Sequence, residues 1–379
     1  MQLQARKSFM KHLIKIAISI IALWYTLVVG AQGDLPNISS LDSGWNAITT
    51  DGVCSAGTPY QFYSKPSADN SEVLVYFNGG GACWFGEACD LNMQPNVHTP
   101  FAEMDANNPA NMRGIFNFEN LENPFANYSI VVVPYCNGDV HVGGVEREYT
   151  YQNESGENIN VTAYHNGFVN SQTVLDWVYK SFSAPSRVVV SGSSAGAIGG
   201  SFYAGLIAEH YDDTPVILIA DAAGGYASPF IYRTFEAWDV ASILPNWPEY
   251  AGETNQSLTF QDFYIASANH NENLTIAQYN TAEDMVQYNF SYLIGDPQGS
   301  FSLPQRILNN YLEIENNTDE FSHYTAGGST HTIMGTPMFY QYSVEGVRYV
   351  DWVSDLINGN PVADISCVNE AAGCANAPE

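Results

Sequence analysis

Arg187-Val-Val-Val-Ser-Gly-Ser-Ser-Ala-Gly-Ala-Ile-Gly-Gly200 decides how the rest of the chain is read. Three β-branched residues, Val188, Val189 and Val190, predict a short buried strand. It runs straight into Gly192-Ser193-Ser194-Ala195-Gly196, a Gly-x-Ser-x-Gly pattern centred on Ser194. A serine displayed at a sharp strand-to-helix turn needs small residues two positions before and after it, so that strand and helix can approach. The helix that follows aims its N-terminal N–H groups, and the positive end of its dipole, at any anion formed there. A Gly/Ser-rich turn without chemistry has the same local composition, so the decision falls to the partners elsewhere in the chain.

Upstream, the chain opens like an exported protein. Arg6, Lys7, Lys11 and Lys15 precede a charge-free run over residues 16–33, and Val29-Gly30-Ala31 offers small residues for cleavage. Residues 1–31 are expected to be a signal peptide cut after Ala31, with an uncleaved anchor as the alternative. Residues 32–379 are then expected to form a single secreted domain, acting as a monomer. Without the leader, the chain keeps 8 basic side chains against 40 acidic ones, a formal charge of −32. Such a field repels nucleic acid and anionic membranes, so neither is an expected partner.

Six cysteines in an exported chain favour disulfides over metal sites. Cys83 with Cys89 and Cys367 with Cys374 are close enough to close small loops, and elimination pairs Cys54 with Cys136. Spacing alone leaves the connectivity formally open. The sequence holds no His-Glu-x-x-His, Cys-x-x-Cys or P-loop pattern, so no metal or cofactor is expected. Eight Asn-x-Ser/Thr sites, at Asn37, Asn127, Asn153, Asn160, Asn255, Asn273, Asn289 and Asn316, are candidate glycan acceptors in a eukaryotic host.

Strands are predicted over residues 71–77, 128–134, 187–190, 216–220 and 274–279, and helices over 164–182, 195–209, 302–316 and around 351–356. A short strand precedes a Gly-rich loop over 323–331. Residues 35–51 show no clear periodicity, and 91–127 read as a long ordered excursion. The aromatic-rich stretch at about 222–271 reads as an inserted cap over a pocket. Alternating strands and helices give an α/β fold, a mainly parallel central sheet flanked by helices.

The partners of Ser194 follow from chain order. In α/β-hydrolases the order is Ser, then Asp or Glu, then His. His270, His323 and His331 lie far enough downstream. His331 sits beyond the Gly327-Gly328 loop and is preferred to His323, which starts the strand at its other end. Asp221 and Asp284 both fall near strand ends, and the later position is the usual home of the acid; Glu283 is adjacent to it. The strand over 71–77 ends in Asn78-Gly79-Gly80-Gly81, where inward-facing N–H groups suit half of an oxyanion hole. Asp139 and His141, after another strand, are expected near the site, with turn-capping the commoner role for Asp139.

On these residues the chain resembles the pectin acetylesterase/Notum family of serine hydrolases. The likeness runs over about residues 54–352. It rests on Cys54-Ser-Ala-Gly-Thr-Pro-Tyr60, Tyr76-Phe-Asn-Gly-Gly-Gly-Ala-Cys83 with Cys89, Pro134-Tyr-Cys-Asn-Gly-Asp139, Ser191-Gly-Ser-Ser-Ala-Gly196, Ala220-Asp221 and Asp284-Met-Val-Gln287. The resemblance implies an α/β-hydrolase-like fold with Ser194, Asp284 and His331 as the triad. It also implies an oxyanion hole from the N–H groups of Gly80, Gly81 and Ala195. Asn78 stands where family members commonly carry Glu, Ala82 where they carry Trp, and the His331 segment differs from the plant version. These departures touch the acyl pocket.

The function expected first is a secreted carboxylic-ester hydrolase that deacetylates a polysaccharide, because a short acyl group asks least of the pocket. Two polyanions repel each other, although seawater-like salt screens this beyond roughly 5 Å. The alternatives are a Notum-like lipid-ester hydrolase acting on an acylated protein, which needs a deep apolar tunnel, and an inactive secreted binding protein of the same fold.

Overall fold

A computed structural model describes residues 34–369 together with 373 and 374. The expected leader therefore lies outside the described residues. Among the described residues, no helix is long and apolar enough to cross a membrane.

The strands in chain order are β1 (Asn46–Val53), β2 (Pro59–Lys65), β3 (Glu72–Phe77), β4 (Ser129–Val133), β5 (Val145–Gln152), β6 (Asn158–His165), β7 (Arg187–Ser193), β8 (Val216–Asp221), β9 (Leu274–Thr281) and β10 (Phe321–Ala326). The main sheet runs β1-β2-β4-β3-β7-β8-β9-β10 and ends in the two-residue strand Ile365–Ser366. β1, β2 and β4 pair antiparallel, and every pairing from β4 onward is parallel. The fold is α/β-hydrolase-like. β4 and β8 are buried at every position, as strands covered on both faces must be, and their Val/Ile-rich runs provide that.

One face of the sheet, through Leu74, Tyr76, Val189 and Ile217, packs on the excursion residues Ile115 and Phe125 and on the C-terminal helix Tyr349–Ile357. On the other face Phe77 stacks on Tyr203 of the helix Ala195–His210, and Phe62 meets Trp177 of the helix Gly167–Ser181 edge-on. The described residues from Asn37 onward form one compact unit.

The six predicted strands and the four predicted helices appear within a few residues of their expected limits. Four stretches differ. Residues 46–53, expected to be irregular, form the edge strand β1, where half-exposed pairing tolerates the Thr, Asp and Gly that blurred the pattern. The hairpin β5–β6 was not anticipated, although exposure alternates along both strands. It takes Tyr164 and His165 from the predicted helix, which starts at Gly167. Past β9, Asp284 opens a helix, Met285–Ile294, where no helix was predicted.

Disulfides join Cys54 to Cys136, Cys83 to Cys89 and Cys367 to Cys374, as expected. Residues 222–271 carry two helices, Tyr232–Trp238 and Phe260–His270. Phe263 of the second packs on Phe202 of the helix after Ser194. The side-chain amide of Asn273, one of the glycan candidates, is occupied by the carbonyls of Ala208, Tyr211 and Thr214.

Candidate active site

β7 ends at Ser193 and the next helix starts at Ala195, so Ser194 alone makes the turn, at φ 55° and ψ −123°. Such a backbone costs a non-glycine residue about 1–3 kcal/mol and persists only where its neighbours over-determine it. Here they do. A methyl carbon built on Gly192 would collide with the Gly196 carbonyl, and one on Gly196 with the Phe77 carbonyl. The Ser194 N–H donates to the main-chain oxygen of Asp221 at 2.8 Å. The hydroxyl is thereby displayed where β3 has β4 on one side and β7 on the other, the crevice in which ligands of open α/β sheets gather.

The glycine run leaves β3 beside it. Its loop is pinned by Thr99 N–H to the Gly80 carbonyl and Ala82 N–H to the Val97 carbonyl, at 2.7 and 3.2 Å. The N–H groups of Gly80 and Gly81 find no acceptor within the described residues. Ala195, as the first helical residue, has no intrahelical acceptor for its own N–H. Gly81, Ala195 and Ser194 line one pocket.

Asp284 is fully buried at the N-cap of its helix. Its Oδ1 accepts the N–H groups of Val286 and Gln287 at 2.9 and 3.2 Å. Its Oδ2 accepts Gln287 Nε2 at 3.0 Å and His331 Nδ1 at 2.6 Å. Holding the Nδ1 proton leaves Nε2 of His331 as an acceptor. Glu283 next door is exposed.

Asp221, the rival acid, is also fully buried and is differently employed. Its Oδ2 accepts Ser193 Oγ at 2.7 Å and the N–H groups of Ile333 and Met334 at 2.9 and 3.0 Å. One carboxylate thus ties the residue before Ser194 to the chain just after His331. Burial raises its pKa to about 6, against those three bonds and the nearby His331, which lower it.

The structure joins Asp284 to His331 and brings Ser194, Gly81 and Ala195 to one pocket, but it forms no hydrogen bond between the Ser194 hydroxyl and His331. Tyr226 lines the same pocket, and burial, with Asp284 adding to it and Ser194 opposing it, raises its phenol pKa. His323 is elsewhere: it stacks on Tyr311 and pairs with Glu315. Asp139 and His141 do not line the pocket, because the turn points them into the protein and leaves Val140 facing the cavity. Asp139 accepts the N–H groups of His141 and Gly167 at 3.1 and 2.8 Å. His141, its pKa lowered to about 4 by burial, is neutral and donates from Nε2 to the Asn78 carbonyl at 2.8 Å, bracing the strand end from which the glycine loop departs.

The pocket is open to solvent, and with its mouth it spans about 360 Å³. Its walls include Ala82, Trp84, Tyr226, Trp238 and Phe290. None of these aromatics was singled out from sequence, where such residues are more often core. The usable signal is at Tyr226, which follows Gly224-Gly225 directly beyond the end of β8.

A family model described as pectinacetylesterase matches residues 40–231, half of the chain. The chain belongs to the pectinacetylesterase family. The matched stretch holds the glycine loop, the Ser194 turn and Tyr226, while Asp284 and His331 lie beyond it. Palmitoleoyl-protein carboxylesterase NOTUM of Homo sapiens is 24% identical over 203 residues, which is 52% of this chain and 39% of that protein. Its Mus musculus counterpart is 24% identical over 204 residues, 52% of this chain and 38% of that protein. Palmitoleoyl-protein carboxylesterase notum1a of Danio rerio is 29% identical over 151 residues, 39% of this chain and 28% of that protein. The matched part of this family member spans about two fifths, or less, of the length of these relatives.

Proposed function

We propose that this chain is a secreted serine carboxylic-ester hydrolase. Ser194 Oγ attacks the ester carbonyl while Nε2 of His331 takes its proton, and Asp284 holds the imidazole by Nδ1 and stabilises the imidazolium. The N–H groups of Gly80, Gly81 and Ala195 receive the negative charge on the tetrahedral oxygen. The imidazolium returns its proton to the leaving alcohol, and water then attacks the acyl-enzyme by the same route in reverse.

The observation that carries this reading is the 2.6 Å bond from His331 to Asp284, in a chain that also holds the strained Ser194 turn. The Ser194 hydroxyl must turn toward His331, a tightening that catalytic hydrogen bonds commonly undergo once substrate is in place. The three disulfides fit an oxidising, extracellular setting and the export leader expected from sequence. The family's name favours an acetylated polysaccharide as substrate, and the names of the animal relatives favour a longer acyl ester.

The test is hydrolysis of 4-nitrophenyl acetate by the full chain and by Ser194→Ala. The serine contributes little packing, so the variant is expected to fold normally and to lose activity by roughly 10⁶-fold. A variant within about threefold of the parent rate would exclude Ser194 as nucleophile. A folded parent inert toward every ester would favour the binding-protein alternative.

A further inference from the structure

Gln287 stands in the first turn of the helix that Asp284 caps, three residues after the cap. A glutamine there ordinarily turns back to the main-chain N–H of the cap residue, as half of a capping box. Here that N–H goes to the Thr281 carbonyl at 3.3 Å, and the Gln287 side chain goes to the Asp284 carboxylate instead.

The orientation of this amide is fixed by its surroundings. Oε1 accepts the Gly225 N–H at 2.6 Å, a donor that only the oxygen can meet, so the NH₂ group must face the other way. Nε2 then donates to Asp284 Oδ2 at 3.0 Å and to Asn280 Oδ1 at 3.2 Å. Asn280, near the end of β9, is fixed in turn. Its Oδ1 also accepts the Gly224 N–H at 2.9 Å, and its Nδ2 donates to the Tyr311 phenol oxygen at 2.9 Å. The main chain reaches both amides because Gly224 and Gly225 have no Cβ: one on Gly224 would lie 2.6 Å from Asn280 Nδ2, and one on Gly225 2.8 Å from Gln287 Oε1. Asp284, Gln287 and Asn280 are fully buried, so the loss of any of these partners leaves a polar group unpaired.

The consequence falls on Oδ2, the oxygen that holds His331 Nδ1. Oδ1 is set by two main-chain N–H groups of the helix, whereas the hydrogen-bond partners of Oδ2 among the described residues are His331 and Gln287. We infer that Gln287 is a positioning residue for the hydrolytic reaction: it acts through Asp284, fixing the plane of the carboxylate so that Oδ2 stays on His331 Nδ1. The inference rests on the ester-hydrolase reading of the same site.

Two variants of the full chain test it on 4-nitrophenyl acetate. Gln287→Met keeps nearly the same volume and loses both ends of the amide. Its kcat is expected to fall about 10- to 100-fold, as displacement of a reacting group by up to about 1 Å does. KM should stay within about threefold, because Gln287 does not line the pocket. In Gln287→Glu one oxygen still accepts the Gly225 N–H, while the other faces two acceptors, Asp284 Oδ2 and Asn280 Oδ1. It can bond to Asp284 only while it carries a proton, and two carboxyl groups so placed share one proton and lose it as pH rises. The ratio of its kcat to that of the parent is therefore expected to fall about tenfold or more between about pH 6 and pH 9. Dividing by the parent removes the titration of His331 that both proteins share.

A folded Gln287→Met enzyme within about threefold of the parental kcat, a rise in KM alone, or a Gln287→Glu ratio that stays flat with pH would overturn the inference and leave Gln287 a packing residue. Failure of both variants to fold anywhere in this pH range would overturn it too, by assigning the amide to folding. A folded parent inert toward the ester would instead remove the reading on which the inference rests.

Discussion

β8 and β9 lie side by side, and the chain leaving each carries a fully buried aspartate at or just past its end, yet the two carboxylates are spent on different kinds of partner. Asp284 gives one oxygen to the first turn of its own helix and the other to Gln287 and His331. Asp221 gives three bonds through one oxygen to Ser193 and to the backbone after His331, and no group that exchanges protons at neutral pH is among its hydrogen-bond partners. Position at a strand end therefore does not assign a role. What separates the two is whether the carboxylate touches the imidazole itself or the chain that carries it.

Replacing each aspartate by asparagine turns this difference into numbers, and Asp284→Asn should show the larger effect. An amide at this position can present its NH₂ to Nδ1 and hold the imidazole in the wrong tautomer. The expected loss in kcat is on the order of 10⁴, with little change in folding by circular dichroism. The N-cap survives, because asparagine caps helices as well as aspartate does. A folded Asp284→Asn protein of near-parental activity would remove Asp284 from the reaction.

Asp221→Asn should be milder. The amide oxygen can still accept all three bonds, and the NH₂ would take the place of Oδ1, which has no partner now. Those bonds lose their charge assistance and roughly half their strength, so the His331 loop loosens relative to Ser194. A misplacement of about 1 Å costs about 10²-fold, which sets the ceiling on the expected fall in kcat. KM should hardly move, because Asp221 does not line the pocket. Were Asp221→Asn the dead enzyme and Asp284→Asn the active one, the roles given to the two residues would be exchanged.

How much of this was legible beforehand follows from the same pair. Both aspartates were visible as carboxylates near strand ends, and the order Ser, Asp, His selected Asp284 and His331 over their neighbours. The sheet was legible because continuous Val/Ile runs such as 130–133 and 188–190 admit little but buried parallel strands. The bonds of Asp221 were not legible, since its partners Ile333 and Met334 lie more than a hundred residues away and use backbone N–H groups, which carry no residue signature. Tyr226 was hidden for a related reason: an aromatic residue lining a pocket and one filling a core have the same composition. Asp139 and His141 were placed on the wrong side of their turn because both Val140 and His141 adopt positive φ, which reverses the alternation expected beyond a strand.

The smallest expected effect is thermodynamic. The pKa of Asp221 in the folded protein, about 6, stands above the ordinary value of 3.8 because burial disfavours the charged form. Between those two values the native state holds a proton that the unfolded chain has released. Stability contributed by this group is therefore fully present below about pH 4 and is lost as pH rises through 6. Asparagine has no such titration. The stability of the parent, measured relative to Asp221→Asn, should thus decline between pH 4 and pH 7 by an amount on the order of 3 kcal/mol at most. Urea unfolding of both proteins at pH 4.5 and pH 7 measures this directly. Contributions from the other titrating groups, including the buried His98, His141 and His165, cancel in the difference because both proteins share them. A gap that stays constant, or widens in the parent's favour as pH rises, would mean that Asp221 is ionised throughout. Its three hydrogen bonds would then outweigh the cost of burial, and it would resemble an ordinary structural ion rather than a carboxyl poised near neutrality.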